Sequence, residues 1–494
     1  MDTWRERARS GITPIVVRPG MRIELLSGRE LERVHQATLT VLGQSGVRFP
    51  YERGLKIFAE AGAKVDFESK IVRIPADLLM RSLANAPRTI AMASRGPEDL
   101  DLYLDGTRSY CGTEGTGLAV VDLETRKRRP STKRDVAMMA QICDYLPSIG
   151  FYWPMVSARD VPPGVISLHE LEASFTHTEK HVHIISCTEA KTAGYAVEMA
   201  RAVAGDSESL RKRPPLSLLV CATSPLTQDK GSLEAALRFA EAGLPVCFCT
   251  MPVVGSTGPG SMAGTMIMGN AEILSALCLI QLVYPGAPVC YAFFHDMINP
   301  FTGQCWASAP QKAGFHTAVV QLGHYYNLPV MSGYGGTDAR KPESWQTGKD
   351  NAIDALFSFL TGPDLMPSLG LLEAYTLLYP EKILLDTEIF NSVKTMTEGV
   401  RIDEGALALD EIMAVGPGGH FLDRDYTCEN LRKLWQPGVA NQWSPQAGGF
   451  LDPQEAAIEK IRWILANHHP NPLEEKVEKE LARIIRTAER ELLG

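Results

Sequence analysis

The sequence predicts an α/β fold, a (β/α)8 TIM barrel with a mainly helical N-terminal region and a C-terminal helical extension. Three observations predict it. Eight short apolar runs recur between residues 110 and 372, each followed by a helical stretch. The runs are continuous rather than alternating, as in strands covered on both faces. Eight such units over about 280 residues favour a closed barrel over an open doubly wound sheet. No GxGxxG or Walker A run follows any of them, which weakens a nucleotide-binding reading.

Bulk properties narrow the class. The chain has 494 residues, 22% charged and 45% hydrophobic, as in ordinary soluble globular proteins. A net charge of −9 argues against a nucleic-acid or anionic-membrane partner. Ten cysteines form no CxxC pair, and several lie in apolar runs. Free, buried thiols in a reducing compartment are expected. The start, MDTWRERARSG, is charged and no apolar segment follows. No signal peptide is therefore expected, and a cytoplasmic location is. The longest uncharged runs, 242–271 and 273–294, are cut by Pro and Gly and read as buried elements rather than a membrane span.

Three regions follow: an N-terminal helical region with a small hairpin over 1–98, the barrel over 99–375, and a helical extension over 376–494. In the first, Ser27 and Glu30 form a capping box for a helix that presents Leu31, Val34 and Val41. A helix over 51–60, an alternating hairpin over 64–74 and a helix opened by Pro75 and Asp77 complete it. The stretches 99–105 and 118–123 both alternate at period two and are expected to pair. A further helix starts at Thr132 with Asp135.

Strands are expected near Tyr110 and over 149–156, 182–187, 216–221, 246–251, 289–294, 328–331 and 365–372. Helices are expected over 163–178, 189–204, 232–242, 261–283, 309–326 and 343–360. The extension reads as helical, with a loop over 415–427 and two amphipathic tail helices split at Pro470 and Pro472. That tail suits packing or assembly, and a homo-oligomer is expected.

A barrel keeps its site at the carboxyl ends of its strands. There the sequence places Glu114, Trp153, Thr188, Glu189, Thr223, Ser224, Met251, Pro252, Phe293 to Asp296, Tyr334 to Asp338 and Glu373. The set is aromatic and small, with few charges. His177 and His181 have helical spacing, but HTEKH lacks the HExxH order. Satisfied histidines are the simpler reading and no metal site is expected. Cys247 and Cys249 share one strand face and read as core. GxSxG is absent, which disfavours a hydrolase serine. Glu114 and Glu373 could face each other across the mouth as a glycosidase acid/base pair does. That alternative stays open on residues alone.

Four segments carry a resemblance: CGTEGTGLAVVDLETRKRRPSTKRDV, STGPGSMAGTMIMGNAEILSALCLIQLVYPGAPV, GYGGTDARKPE and VGPGGHFL. In this order they resemble the trimethylamine methyltransferase family over nearly the whole chain. The resemblance implies a TIM barrel that moves a methyl group from an amine to the cobalt of a separate corrinoid protein. Members using trimethylamine carry a pyrrolysine before a Ser-Asp-Ser-Lys-like run. Here that run reads Thr337-Asp338-Ala339-Arg340, so the pyrrolysine position falls on Gly336. The chain therefore resembles the non-pyrrolysine branch, whose members act on quaternary amines such as glycine betaine.

Chemistry agrees with that branch. A quaternary nitrogen already carries its charge and leaves as a neutral amine, so no acid, metal or covalent adduct is required. The site has only to orient the methyl group and exclude water. Aromatic faces hold such a cation, each contributing about 0.5–2 kcal/mol. Trp153, Phe293 and Tyr334 are the expected faces, with Glu114 and Glu373 nearby. His295, and after it Arg340, are the expected donors to a substrate carboxylate, and Gly336 would leave room for the substrate head. Cobalamin is expected on a cognate corrinoid protein, because no DxHxxG run occurs in this chain. The alternatives are another methylated amine (proline betaine, carnitine, trimethylamine) or a non-catalytic quaternary-amine binder.

Overall fold

The computed structural model of the chain describes residues 12–494 except 19, 116, 334, 335, 433 and 435–437. Eight parallel strands close into a barrel: β1 (Tyr110–Thr113), β2 (Phe151–Tyr152), β3 (His181–Ile184), β4 (Leu216–Cys221), β5 (Val246–Thr250), β6 (Val289–Phe293), β7 (Val330–Met331) and β8 (Leu365–Leu369). Chain neighbours pair throughout, and β8 closes on β1 through Leu365–Tyr110 and Leu369–Thr113. One long helix follows each strand: α1 (Lys133–Tyr145), α2 (Ile166–His177), α3 (Ala190–Ala204), α4 (Lys230–Ala242), α5 (Met262–Val283), α6 (Gln311–Tyr325), α7 (Trp345–Thr361) and α8 (Lys382–Thr397). The eight expected strands and the seven expected barrel helices are present, and the eighth helix, Lys382–Thr397, comes from the stretch read as the C-terminal extension. Both expected capping boxes, Ser27/Glu30 and Thr132/Asp135, form.

Strand residues point alternately inward and outward, and this parity sorts the core. Val289, Tyr291 and Phe293 of β6 join the layer between strands and helices. Cys290 and Ala292 fill the barrel interior with Cys247, Cys249, Phe151 and Trp153. The apolar helix α5 is covered on its outer side by the N-terminal helices Gly28–Thr40, Glu52–Glu60 and Ala76–Leu83. That double cover explains why α5 is hydrophobic all round. By length and composition it could cross a membrane, yet 83% of its apolar window is buried in the protein.

The N-terminal end of the barrel is plugged by a hairpin, Ile90–Met92 with Leu102–Leu104, whose apolar side chains meet Tyr110 and Leu365. This corrects one expectation. Stretches 99–105 and 118–123 do not pair, because β1 runs between them and leaves them at opposite ends of the barrel. Ala119–Val121 pairs instead with Arg128–Pro130 and Leu377–Leu378. Those strands with Leu371–Leu372 make one small sheet at the mouth; Val253–Val254, Asp296–Ile298 and Cys305–Trp306 make another.

The tail helix Pro453–Asn467 packs on α1 and α8, and Glu475–Leu493 on α2 and α3. Two expectations in the extension are corrected. A hairpin pairs Trp443–Ser444 with Gly449–Phe450, and the helix Asp425–Leu431 begins inside the expected loop. All ten cysteines are free, but Cys305 and Cys428 are exposed rather than buried.

Candidate active site

A cavity of about 70 Å³ opens at the carboxyl ends of the strands. Glu114, Trp153, Ile185, Phe294, His295, Asp296, Lys312, His316 and Tyr375 are among its lining residues. Two glycines let β1 and β2 approach closely there. A Cβ on Gly112 would run into the Phe151 ring, and one on Gly115 into the Trp153 indole. Trp153 is buried and edge-on to His183, with centroids 5.3 Å apart. Its indole N–H has no hydrogen-bond partner among the described residues.

The wall between β6 and α6 carries the titratable groups. His295 stacks on Phe315 with centroids 3.7 Å apart, and His316 stands edge-on to it at 4.9 Å. Both ring nitrogens of His295 are buried without a partner among the described residues. Burial, then His316 and Lys312, push its pKa well below the ordinary value. Burial and Lys312 lower that of His316 to about 3. Both imidazoles are neutral at physiological pH.

Lys312 is the cation of the cavity. Its Nζ donates to Asp296 Oδ1 at 2.9 Å and to the Tyr375 hydroxyl at 2.8 Å. Burial disfavours its charge, yet Tyr375 and Asp296 together hold its pKa above the ordinary lysine value.

The glycine turn is anchored on both sides. Thr337 Oγ1 donates to Asp350 at 2.8 Å. Asp338 accepts from the backbone N–H of Ala307 and Ser308 and from the Ser308 hydroxyl. A Cβ on Gly336 would run into the Tyr375 ring, so the space beside Gly336 is filled by tyrosine rather than left open. Three consecutive left-handed residues place that ring: Glu373 (φ 49°), Ala374 (49°) and Tyr375 (71°). Non-glycine residues adopt this conformation at a cost. Here Glu373 N–H donates to Ala339 O and Ala374 N–H to Thr337 O, which binds this loop to the glycine turn.

The expected site residues thus divide. Glu114, Trp153 and His295 line the cavity, and Gly336 lies behind Tyr375. Phe293 does not reach it; its ring packs on Phe315 in the barrel–helix layer, 5.4 Å between centroids. Glu373 pairs with Arg128 at 2.9 Å and Arg340 at 3.6 Å, and the Arg340 side chain is 85% exposed. Neither Glu373 nor Arg340 lines the cavity. Tyr334 lies outside the described residues. Lys312, His316 and Tyr375 were missed, and Phe294 stood among the strand-end residues without being chosen as a cation face. Parity could have chosen it, because Phe294 continues Cys290 and Ala292. Lys312 and His316 are one helical turn apart, but nothing local tells which way that turn faces.

The histidines near β3 are barrel-interior residues. His181 and His183 each lie 2.7 Å from the Ser217 hydroxyl. Among the described residues, no three His, Cys, Asp or Glu gather as metal ligands. A wider groove of about 530 Å³ lies on the outer helices, lined by Lys191, Glu198, Arg201, Arg238 and Glu241. Its charges of both signs mark a solvated surface away from the strand ends.

Behind Trp153 and Ile185 lies a second cavity of about 180 Å³ that contains Glu170. Glu170 is buried, accepts from Ser186 Oγ at 2.7 Å and from Ala158 N–H at 3.2 Å, and is raised by burial to a pKa of about 7. A carboxyl raised on folding stabilises fully below its unfolded pKa, and that contribution is lost as pH rises toward the folded value. The window runs from the ordinary 4.5 to about 7, and the loss across it is about 3 kcal/mol. Urea titrations between pH 4.5 and 8 are expected to show this decline in the native chain and a flatter profile in Glu170→Gln.

A closed (β/α)8 barrel with a cavity at the carboxyl ends of its strands has the architecture of the barrel enzymes that work at that face. The sequence model of the family described as Trimethylamine methyltransferase (MTTB) matches residues 3–492. The chain belongs to the trimethylamine methyltransferase family and is a methyltransferase. It is 32% identical to trimethylamine methyltransferase MttB of Desulfitobacterium hafniense (strain DSM 10664 / DCB-2), covering 99% of this chain and 98% of the relative. It is 28% identical to a glycine betaine methyltransferase of Desulfitobacterium hafniense (strain Y51), covering 94% and 97%. The crystal structure of the Methanosarcina barkeri monomethylamine methyltransferase (MtmB) superposes with a TM-score of 0.51 at 12% identity, over 96% of this chain and 88% of that one. That likeness concerns the fold alone.

Proposed function

We propose that this chain transfers a methyl group from a quaternary amine, glycine betaine-like, to the cobalt(I) of a corrinoid protein. The observation that carries this reading is Gly336, where the resemblance places pyrrolysine. It is glycine, and the Tyr375 ring closes the space beside it. A substrate that already carries its charge needs no electrophile there. The neutral His295 and His316 agree, since neither is an imidazolium that could serve as a general acid at physiological pH, while each keeps one N–H to donate. Trp153, Phe294 and Tyr375 supply aromatic surface for the cation. Glu114 and Asp296 set two carboxylates against Lys312, which favours a positive group in the cavity.

For a betaine carboxylate, His295 remains the proposed donor, because its two nitrogens are unpartnered among the described residues. Arg340 is directed to Glu373 instead. The corrinoid is proposed as a substrate presented at the mouth by another protein, since no DxHxxG run occurs in this chain, and it supplies the cobalt nucleophile. The work of this chain is to bind the cation, aim one methyl outward and keep water away.

The test is methylcobalamin formation from cobalt(I) cobalamin with glycine betaine, proline betaine, carnitine and trimethylamine. Turnover is expected with a quaternary substrate. Turnover with trimethylamine alone overturns the reading, and tight amine binding without transfer makes the chain a binder. Gly336→Val is expected to displace Tyr375 and slow transfer at least about tenfold, or ~1.4 kcal/mol. Gly336→Val with Tyr375→Ala should recover part of that loss.

A further inference from the structure

One buried acid takes no part in the proposed transfer. Glu170, near the start of α2, is 5% exposed. Its hydrogen-bond partners are all neutral: Ser186 Oγ at 2.7 Å, Ala158 N–H at 3.2 Å and the Ser157 side chain. Among the described residues, none of the Lys, Arg and His side chains shifts its titration. A glutamate buried this deeply is normally paired with a cation.

The space beside Glu170 is large enough for that cation. Its cavity measures about 180 Å³, against about 70 Å³ at the strand ends. Such a volume holds several waters or one small amine. Glu170 is the one charged group among its described lining residues, and Trp153 gives it an indole, a group that attracts cations. Leu118, 49% exposed, forms its solvent edge. Trp153 and Ile185 line both cavities and form the wall between them. A carboxylate has about four acceptor positions, and the three donors to Glu170 leave one. A cation with an N–H can use that position. A quaternary cation, whose nitrogen carries only carbon, cannot.

We propose that the Glu170 cavity is a product site that binds the demethylated amine in its protonated form. The proposal rests on the substrate being a methylated amine, and not on that amine being quaternary. In the transfer, the bond from nitrogen to the departing methyl breaks and its electron pair stays on nitrogen, while the methyl carbon bonds to cobalt. The released amine is a base. It takes one proton, from the Glu170 carboxyl or from water, and becomes an ammonium with an N–H. Burial raises the Glu170 carboxyl to about 7, so near neutral pH it can give that proton and remain as the carboxylate that pairs with the ammonium. Entry from the reaction cavity requires Ile185, the less buried of the two wall residues, to turn aside. The product then leaves by the Leu118 edge while the mouth is still covered by the corrinoid protein.

The test is calorimetric titration of the full chain, at a pH above the Glu170 value of about 7, with trimethylammonium and tetramethylammonium. The two probes differ in having or lacking an N–H. Glu170→Gln is expected to weaken trimethylammonium binding at least about tenfold and to change tetramethylammonium binding less than about twofold. Ser186→Leu, which narrows the cavity and keeps the carboxylate, should weaken trimethylammonium in the same way. A crystal of the native chain soaked in trimethylammonium should place its nitrogen within hydrogen-bond distance of Glu170. Unaltered trimethylammonium affinity in both variants, equal losses for the two probes, or amine in the reaction cavity alone overturns the proposal. These measurements contain no cobalamin. Binding that depends on Glu170 in a chain without methyl transfer therefore refutes the transfer alone, and transfer without such binding refutes the product site alone.

Discussion

Lys312→Met is expected to lower the unfolding free energy by about 3 kcal/mol, within the range for breaking one half of a buried ion pair. The lysine side chain is 2% exposed, and its partner Asp296 is 19% exposed. Methionine fits the stem but leaves Asp296 without its cation and the Tyr375 hydroxyl without a donor from Nζ. The Asp296 carboxylate would then face an apolar wall, and the Tyr375 loop, already held in three left-handed conformations, would lose one of its ties. Methyl transfer should fall with stability, because the same ring lines the cavity.

The double variant Lys312→Met with Asp296→Leu separates the two effects. Removing both charges should return most of the stability, since the stranded carboxylate is the main loss, while transfer stays impaired. Urea midpoints and methylcobalamin rates on the three proteins measure this. If Lys312→Met unfolds at the native midpoint, or the double variant is no more stable than the single one, the ion pair is not what holds this wall.

The second large effect contrasts two adjacent phenylalanines. Phe293→Ala should cost about 3–5 kcal/mol of stability, as large-to-small changes in a core do. Its ring fills the space over Gly269 and against Phe315. Amine affinity should change less than twofold in the variant that remains folded. Phe294→Ala should behave the opposite way: a smaller stability loss, and an affinity loss of about 0.5–2 kcal/mol, roughly 2- to 30-fold, from one missing aromatic face. Denaturation with calorimetric titration of glycine betaine distinguishes them. Equal affinity losses in both variants would mean that parity at the end of β6 does not decide which ring meets the substrate.

The same pair shows how far the sequence can be read. All eight strands and seven of the eight barrel helices were legible because each rests on local rules, continuous apolar runs for strands covered on both faces and capped, longer runs for helices. Parity was also legible in principle. Phe293 shares it with Val289 and Tyr291 and therefore faces the helices. Choosing Phe293 as a cation-binding face overlooked that period. Pairing 99–105 with 118–123 failed for a related reason, because alternation identifies strands but not their neighbours.

From the sequence by itself came the barrel, the region of the site and, through quoted motifs, the family. It also singled out Gly336 as a departure. Only the tertiary structure decided what that departure means physically: Tyr375, 39 positions further along the chain, lays its ring on Gly336 and its hydroxyl on Lys312. Such a meeting depends on barrel closure, which sets the loop after β7 beside the loop after β8, and on a left-handed turn that no propensity favours. Local periodicity is encoded within a few residues. The contacts that shape the cavity join residues far apart in the chain, and closure of the barrel selects them.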